Sequence, residues 1–163
     1  MKKIIIILVL LIKNYSLLRI LQIIETKKLV LRAKSLEFGA SVDNKKNFSY
    51  FLKNKKFFEY SNISNEKNKK IIPLDLRKKL EIKPGIYSNV LIYNVLEHID
   101  DHTIVFREIK KILNKNGKLF GSTPFLYQVH GAPKDYYRFT KDFFHEKLRK
   151  DGFKKIDIKC MGY

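Results

Sequence analysis

Apolar and polar positions change rhythm along this chain. After residue 34, short β-like apolar runs alternate with polar or helix-patterned stretches, the arrangement of an α/β domain built on a mainly parallel sheet. The runs "KSLEFGA" (34–40), "KFFEYSNI" (56–63), "KIIPLDL" (70–76), "NVLIYNVL" (89–96), "GKLFGSTPF" (117–125) and "FKKIDIKCM" (153–161) predict six strands. Between the fourth and fifth lies "DDHTIVFREIKKILNKNG", with Ile104, Val105, Ile109, Ile112 and Leu113 on one face at helical spacing. That helix is expected to end at Gly117 after Asn116, a C-cap pair. Its start falls in "IDDH", where acids suit the positive end of the helix dipole.

The first 33 residues read differently. Two lysines and nine apolar residues, "IIIILVLLI", resemble the front of a secretory signal. No small-residue cleavage site follows, the run is half of what spanning needs, and Lys13 and Arg19 interrupt its extension. A packed or interfacial helix is expected, with membrane-surface contact through residues 4–24 left open. The organisation is thus an N-terminal apolar, helical extension over 1–33 and one domain over 34–163, with "NEKNKK" a polar loop inside it.

Length and a 45% hydrophobic content allow a real core and exclude disorder as a class. The formal charge of +18 changes this picture little, because it is scattered lysine accompanied by Ile, Asn and Phe, with no arginine stripe interleaved with aromatics. A solvated basic surface is the reading, and a nucleic-acid partner is disfavoured because no base-stacking platform is visible. The single cysteine, Cys160, excludes an internal disulfide and a cysteine-based zinc site, and its alternating surroundings predict a buried thiol.

Candidate chemistry gathers at the carboxyl ends of the predicted strands, where open α/β sheets bind ligands. "EFGAS" ends the first strand in a glycine turn that lets backbone approach a ligand closely, and a helix is expected to follow it. "NVLEHIDDH" packs two histidines and three acids into nine positions. His98 and His102, four apart, have the spacing of a helical zinc pair, with His130 or Asp135 as a third ligand. Alternatively, His98 or His130 works with Asp135 in acid-base chemistry, or Asp135 and Arg138 simply pair with each other. "GSTP" lacks the nucleophile-elbow pattern.

Three stretches together resemble a known family: "SLEFGAS", "VLIYNVLEHIDDHTIVFREIKKILNKNGKLFGSTPF" and "HGAPKDYYRFT". They are similar to class I S-adenosylmethionine-dependent methyltransferases of the type 11 kind, notably a branch found among surface-polysaccharide and glycolipid biosynthesis proteins. The resemblance implies an α/β, Rossmann-like class I methyltransferase sheet, mainly parallel, with S-adenosyl-L-methionine as cofactor. Glu37, Gly39 and Ala40 would face the methionine and ribose part of the cofactor. Asp75 and Leu76 would sit by the adenine, and Asn94 with Glu97 and His98 behind it would line the methionine end. His130, Asp135, Tyr136 and Arg138 would face a small-molecule, glycan or lipid-linked acceptor, with His98 or His130 as the base.

Several positions depart from the family's pattern. Ser41 replaces the usual second glycine. Asn62 stands where an acid commonly holds the ribose hydroxyls, unless Glu59 fills in. Asn89 replaces a common aspartate, and Asn116-Gly117 replaces Pro-Gly-Gly. The chain stops after the sixth predicted strand, so the sheet is expected to lack the family's final antiparallel strand. A cytoplasmic enzyme, associated with membrane at most through its N-terminus, is the expectation. The alternative is a degenerate, non-catalytic domain acting as a partner or membrane-surface module.

Overall fold

The central run "YSNVLIY" is apolar on both sides, as a strand buried between two layers must be. The computed structural model describes residues 7, 9, 11, 12, 14–54, 56–63, 70–131 and 134–161. In it that run is β4 (Tyr87–Tyr93), accompanied by β1 (Ser35–Phe38), β2 (Phe58–Asn62), β3 (Ile71–Pro73) and β5 (Leu113–Ser122). All pair in parallel, in the order β3-β2-β1-β4-β5. The chain therefore moves outward from β1 to β3 and then jumps back across β1 to β4. The boundary between β1 and β4 is the topological switch point, where a crevice opens beyond the carboxyl ends of the strands. In register, Glu37 of β1 lies between Tyr60 of β2 and Leu91 of β4.

Alternation along β4 divides the core. Val90 and Ile92 join Leu36 and Phe38 on one face, packed against Val105, Phe106, Ile109 and Ile112 of α2 (Val105–Ile112). Phe143, Phe144 and Leu148 of α3 (Lys141–Lys150) flank that layer. Burying one such phenylalanine contributes roughly 1.5–3 kcal/mol. Leu91 and Tyr93 face the other way, toward Leu31, Leu52 and Phe120. There α1 (Leu17–Thr26) packs Ile20 and Ile23, both fully buried, against Phe48. Ser16 caps α1 by accepting from Arg19 N, and Thr140 caps α3 by accepting from Phe143 N.

Five of the six predicted strands are present, and several details differ from the sequence reading. No α-helix follows Gly39; the segment makes two 3-10 turns, Asn44–Lys46 and Phe48–Phe51. Side chains have captured the backbone groups a helix would use: Asn47 both accepts from Ser41 N and donates to Ser41 O, and Glu37 accepts from Phe48 N and Ser49 N. The helix expected to reach Gly117 ends at Ile112 and passes directly into β5. Leu113 pairs with Tyr87, and Asn114 donates to Ser88 Oγ, so strand pairing wins over continuation of the helix.

The segment 153–161 is not hydrogen-bonded into the sheet. Alternation alone cannot make a strand without a neighbour to pair with. Cys160, expected inside, is consequently exposed. Glu59 does not reach the strand ends either, since it accepts from Tyr87 Oη at 2.6 Å and pairs with Lys34 at 2.9 Å. Among the described residues no helix is long and apolar enough to cross a membrane. Much of the apolar run 4–12, and residues 65–69 of the polar loop, lie outside the described residues.

Candidate functional site

Residues at the carboxyl ends of β1, β2 and β4 converge on the switch-point crevice. Gly39 leaves β1 with φ +69°, and a Cβ placed there would come 2.4 Å from Val95 Cγ2. Only glycine combines that backbone conformation with so close a neighbour. Ala40, buried, donates its N–H to Ser61 O at 2.9 Å and accepts from Asn62 Nδ2 at 2.8 Å. Asn62 O in turn accepts from Leu74 N, which fixes the turn after β3.

Glu37 is 3% exposed and sits beneath this rim. Its two carboxylate oxygens accept from Phe48 N at 2.7 Å and Ser49 N at 3.0 Å. Burial pushes its pKa up, against the pull of these bonds and of the nearby Arg19 cation. Asp75 is gripped by the Arg77 fork, with Nε to Oδ1 at 2.9 Å and Nη2 to Oδ2 at 3.0 Å, and this partner holds its carboxyl below the usual range. Leu76 is buried in the main core cluster.

Asn94 ends β4 in the left-handed region, φ 53°, and donates its N–H to Ser122 O. Its side chain exchanges hydrogen bonds with Gln22, which donates to Asn94 Oδ1 at 2.7 Å and to Ser122 Oγ at 2.8 Å. Sequence reasoning missed Gln22. The signal was present in "LLRILQIIET": Arg19, Gln22 and Thr26 form a polar stripe on a helix whose remaining residues, Glu25 apart, are apolar. Arg19 stacks over Phe48 at 3.7 Å and donates to Lys46 O, while Thr26 meets Tyr93 Oη at 3.1 Å. The stripe lays α1 along the β4 and β5 side of the crevice.

A second group stands above it. A short 3-10 turn, Leu96–His98, follows β4, and Tyr136 N donates to Glu97 O at 2.8 Å, tying residues 134–138 to the turn. His98, His130, Asp135, Arg138 and Glu97 are thereby brought together. Arg138 grips Asp135 through Nη1 to Oδ1 at 2.5 Å and Nη2 to Oδ2 at 2.7 Å. That guanidinium holds the Asp135 carboxyl far below the usual range. Asp135 Oδ2 also accepts from His130 N and lies 3.1 Å from His130 Nδ1. The His98 and His130 rings meet edge to face with centroids 5.0 Å apart.

Glu97 is the unusual member. It is completely buried, neither carboxylate oxygen has a hydrogen-bond partner among the described residues, and burial with the neighbouring Asp135 charge pushes its pKa up to about 7. His102 is separated from His98: its Nε2 bonds Leu96 O at 2.8 Å and its ring packs among Tyr137, Phe139 and Phe143. The helical pairing of His98 with His102 is therefore not formed. Asp100 and Asp101 are exposed. A separate cavity of about 670 Å³ lies at the opposite, amino ends of β4 and β5, lined by Arg32, Asn89, Lys118 and Phe120 among others.

Residues 51–121 match the family described as "Methyltransferase domain". The fold is shared with a SAM-dependent methyltransferase of Thermotoga maritima, a possible histamine N-methyltransferase, at TM-score 0.63 and 14% identity over 82% of this chain and 70% of that one. It is shared also with phosphoethanolamine N-methyltransferase 2 of Haemonchus contortus, solved with phosphomonomethylethanolamine and S-adenosylhomocysteine, at TM-score 0.61 and 16% identity. That match covers 86% of this chain but 38% of the worm enzyme's, so the chain spans well under half of that relative. No curated protein matches the sequence. The chain shares the Rossmann-like fold of these solved methyltransferases, and its segment 51–121 is similar to the methyltransferase-domain family.

Proposed function

We propose that this chain transfers a methyl group from S-adenosyl-L-methionine to an acceptor bound between the Leu96–His98 turn and residues 128–131 and 134–138. The observation that carries the proposal is the meeting of two groups at one switch point: the Gly39, Ala40, Asn62 and Asn94 rim, and the Glu97, His98, His130 and Asp135 group above it.

The rim fits the cofactor by its chemistry. Gly39 supplies backbone without a side chain, and Asn62 and Asp75 end β2 and follow β3 as polar groups suited to ribose hydroxyls and an adenine amine. Ser61 Oγ is buried beside them with no hydrogen-bond partner among the described residues. When bound, the cofactor supplies an electrophilic methyl, which leaves alignment and proton handling to the protein. Here the residues are prepared for both. Lys134 O lies 2.6 Å from His98 Nδ1, and a carbonyl only accepts, so that nitrogen carries the hydrogen and the neutral ring keeps its lone pair on Nε2. Gln128 O, 3.4 Å from His130 Nδ1, favours the same tautomer there. Each imidazole can take a proton from an acceptor hydroxyl at Nε2.

The loop beside this group carries large apolar side chains in the open: Leu126 is 81% and Val129 84% exposed, with Phe125 and Tyr136 nearby. They support an acceptor with an apolar portion, such as a lipid-linked sugar presented at a membrane surface. The neighbour solved with phosphomonomethylethanolamine supports the coarser class of small-molecule acceptors. Calorimetric titration with S-adenosylmethionine and S-adenosylhomocysteine tests the first half, with saturable micromolar binding expected. Asp75→Ala should weaken that binding, whereas His130→Ala should spare it and lower transfer of labelled methyl to extracted lipid-linked glycans. A folded chain that binds neither cofactor form refutes the proposal.

A further inference from the structure

Glu97, His98 and His130 each offer one ligand atom, and these atoms lie within 4.8 Å of one another. His98 Nε2 is 3.9 Å from Glu97 Oε1, too long for a hydrogen bond. His98 Nδ1 is turned toward Lys134 O and His130 Nδ1 toward Gln128 O, so in its neutral form the His98 ring brings the Nε2 lone pair to this group. A buried carboxylate whose oxygens meet no donor side chain, set beside two imidazoles, is unfavourable while it is ionised unless a cation joins it. The nearest guanidinium, Arg138, is committed to Asp135.

We infer that Glu97, His98 and His130 form a binding site for a divalent transition-metal ion of the zinc class, with the remaining coordination position open. Two imidazoles and one carboxylate are a ligand set used by open, catalytic-type metal sites, whereas magnesium and calcium prefer oxygen alone. The surroundings fit the assignment. A metal-bound histidine characteristically gives its other ring hydrogen to a carbonyl or carboxylate, and here His98 Nδ1 faces Lys134 O and His130 Nδ1 faces Gln128 O, with the Asp135 carboxylate 3.1 Å away. Asp135, fixed by the Arg138 fork, is the positioning residue for His130. Tetrahedral bonds of about 2.0–2.1 Å place ligand atoms roughly 3.3 Å apart, so binding draws the three together by an ångström or so.

This inference rests on the methyl-transfer reading for its location, since the open position lies where the acceptor is proposed to sit, and in the loaded state it moves proton handling from the imidazoles to the metal. Ligated imidazoles cannot take a proton. In the loaded state an acceptor hydroxyl would bond the metal through oxygen as its O–H bond breaks, with the proton passing to water.

The test uses the full, tag-free chain after treatment with a chelator. Titration with Co²⁺ should give one visible absorption band saturating at one ion per chain, and Zn²⁺ should abolish it. Glu97→Gln, His98→Ala and His130→Ala should each weaken binding at least 10-fold, and Asp135→Asn by about 10–100-fold. His145→Ala, in exposed α3 surface, should change nothing. Circular dichroism and titration with S-adenosylhomocysteine on the same samples separate loss of metal from loss of fold or cofactor. A folded chain that binds cofactor but no stoichiometric metal, or whose metal binding survives Glu97→Gln, overturns the metal site and leaves the methyl-transfer reading standing. Metal binding without cofactor binding would do the reverse.

Discussion

Glu37, buried beneath the crevice, holds the segment that follows it through two backbone amides, and replacing it by glutamine gives a sharp test. Glutamine keeps the volume, so packing is unchanged, but it retains one acceptor oxygen and turns an NH₂ toward the second amide. One of the bonds to Phe48 N and Ser49 N is lost, and a buried N–H is left facing a donor. A hydrogen bond to a charged group contributes about 1.5–3 kcal/mol, and an unsatisfied buried donor costs about 1–3 kcal/mol. Against this, burial already disfavours the ionised carboxyl, which returns part of the loss. The net expectation is a destabilisation of roughly 2–4 kcal/mol, a large share of a small domain's usual 5–15 kcal/mol. Urea unfolding followed by far-ultraviolet circular dichroism measures the change, and amide exchange should speed up at Phe48 and Ser49 first. A shift below about 0.5 kcal/mol, within the range of a neutral surface substitution, would refute the view that these two bonds hold the 3-10 turn.

Three further outcomes follow from the same geometry. Gly39→Ala should cost at least about 1 kcal/mol from its positive φ alone and more from Val95, and Val95→Ala should recover the steric part in a double-mutant cycle. Burial lowers the pKa of His102, so its ring is held neutral in the fold and the unfolded chain binds more protons; stability should fall as pH drops through 6.5, and His102→Gln should flatten that fall in thermal melts. Gln22→Ala removes the amide that occupies Asn94 and Ser122, so it should lower the melting temperature while leaving S-adenosylhomocysteine affinity equal or tighter; weaker affinity would mean that Gln22 itself serves the cofactor.

Strands were legible wherever burial alone decides them. "NVLIY" is apolar on both faces, and nothing but a central strand between two layers accommodates it. The helix end was not legible, because Leu113 and Asn114 leave the helix to pair with Tyr87 and Ser88, residues some 26 positions earlier. The same applies to 153–161, where the alternating pattern is real but a strand exists only if a partner lies alongside it. The failed helix after Gly39 has a local cause, since Asn47 captures both the N–H and the C=O of Ser41. Such side-chain capture is available to any Asn-rich segment, which makes it hard to foresee from composition.

For the site, residue types were readable and their company was not. His98, His130 and Asp135 each stood out as loop residues beyond strand ends, yet one backbone bond, Tyr136 N to Glu97 O, brings the two loops together. Glu97 reads from sequence as one more acid in a turn, and only its complete burial reveals an acid with no donor. That difference separates two kinds of acidic residue in this chain. Asp75 and Asp135 are each held by an arginine fork, and their pKa values fall; Glu97 has no such partner, and its pKa rises. In a chain carrying a formal charge of +18, a carboxylate left without a cation is not explained by scarcity of lysine or arginine. Its isolation comes from the fold, which places two imidazoles beside it and turns the nearest guanidinium toward Asp135. The positive charge that Glu97 lacks can be supplied by a metal ion, and its raised pKa means that a proton competes for the same place.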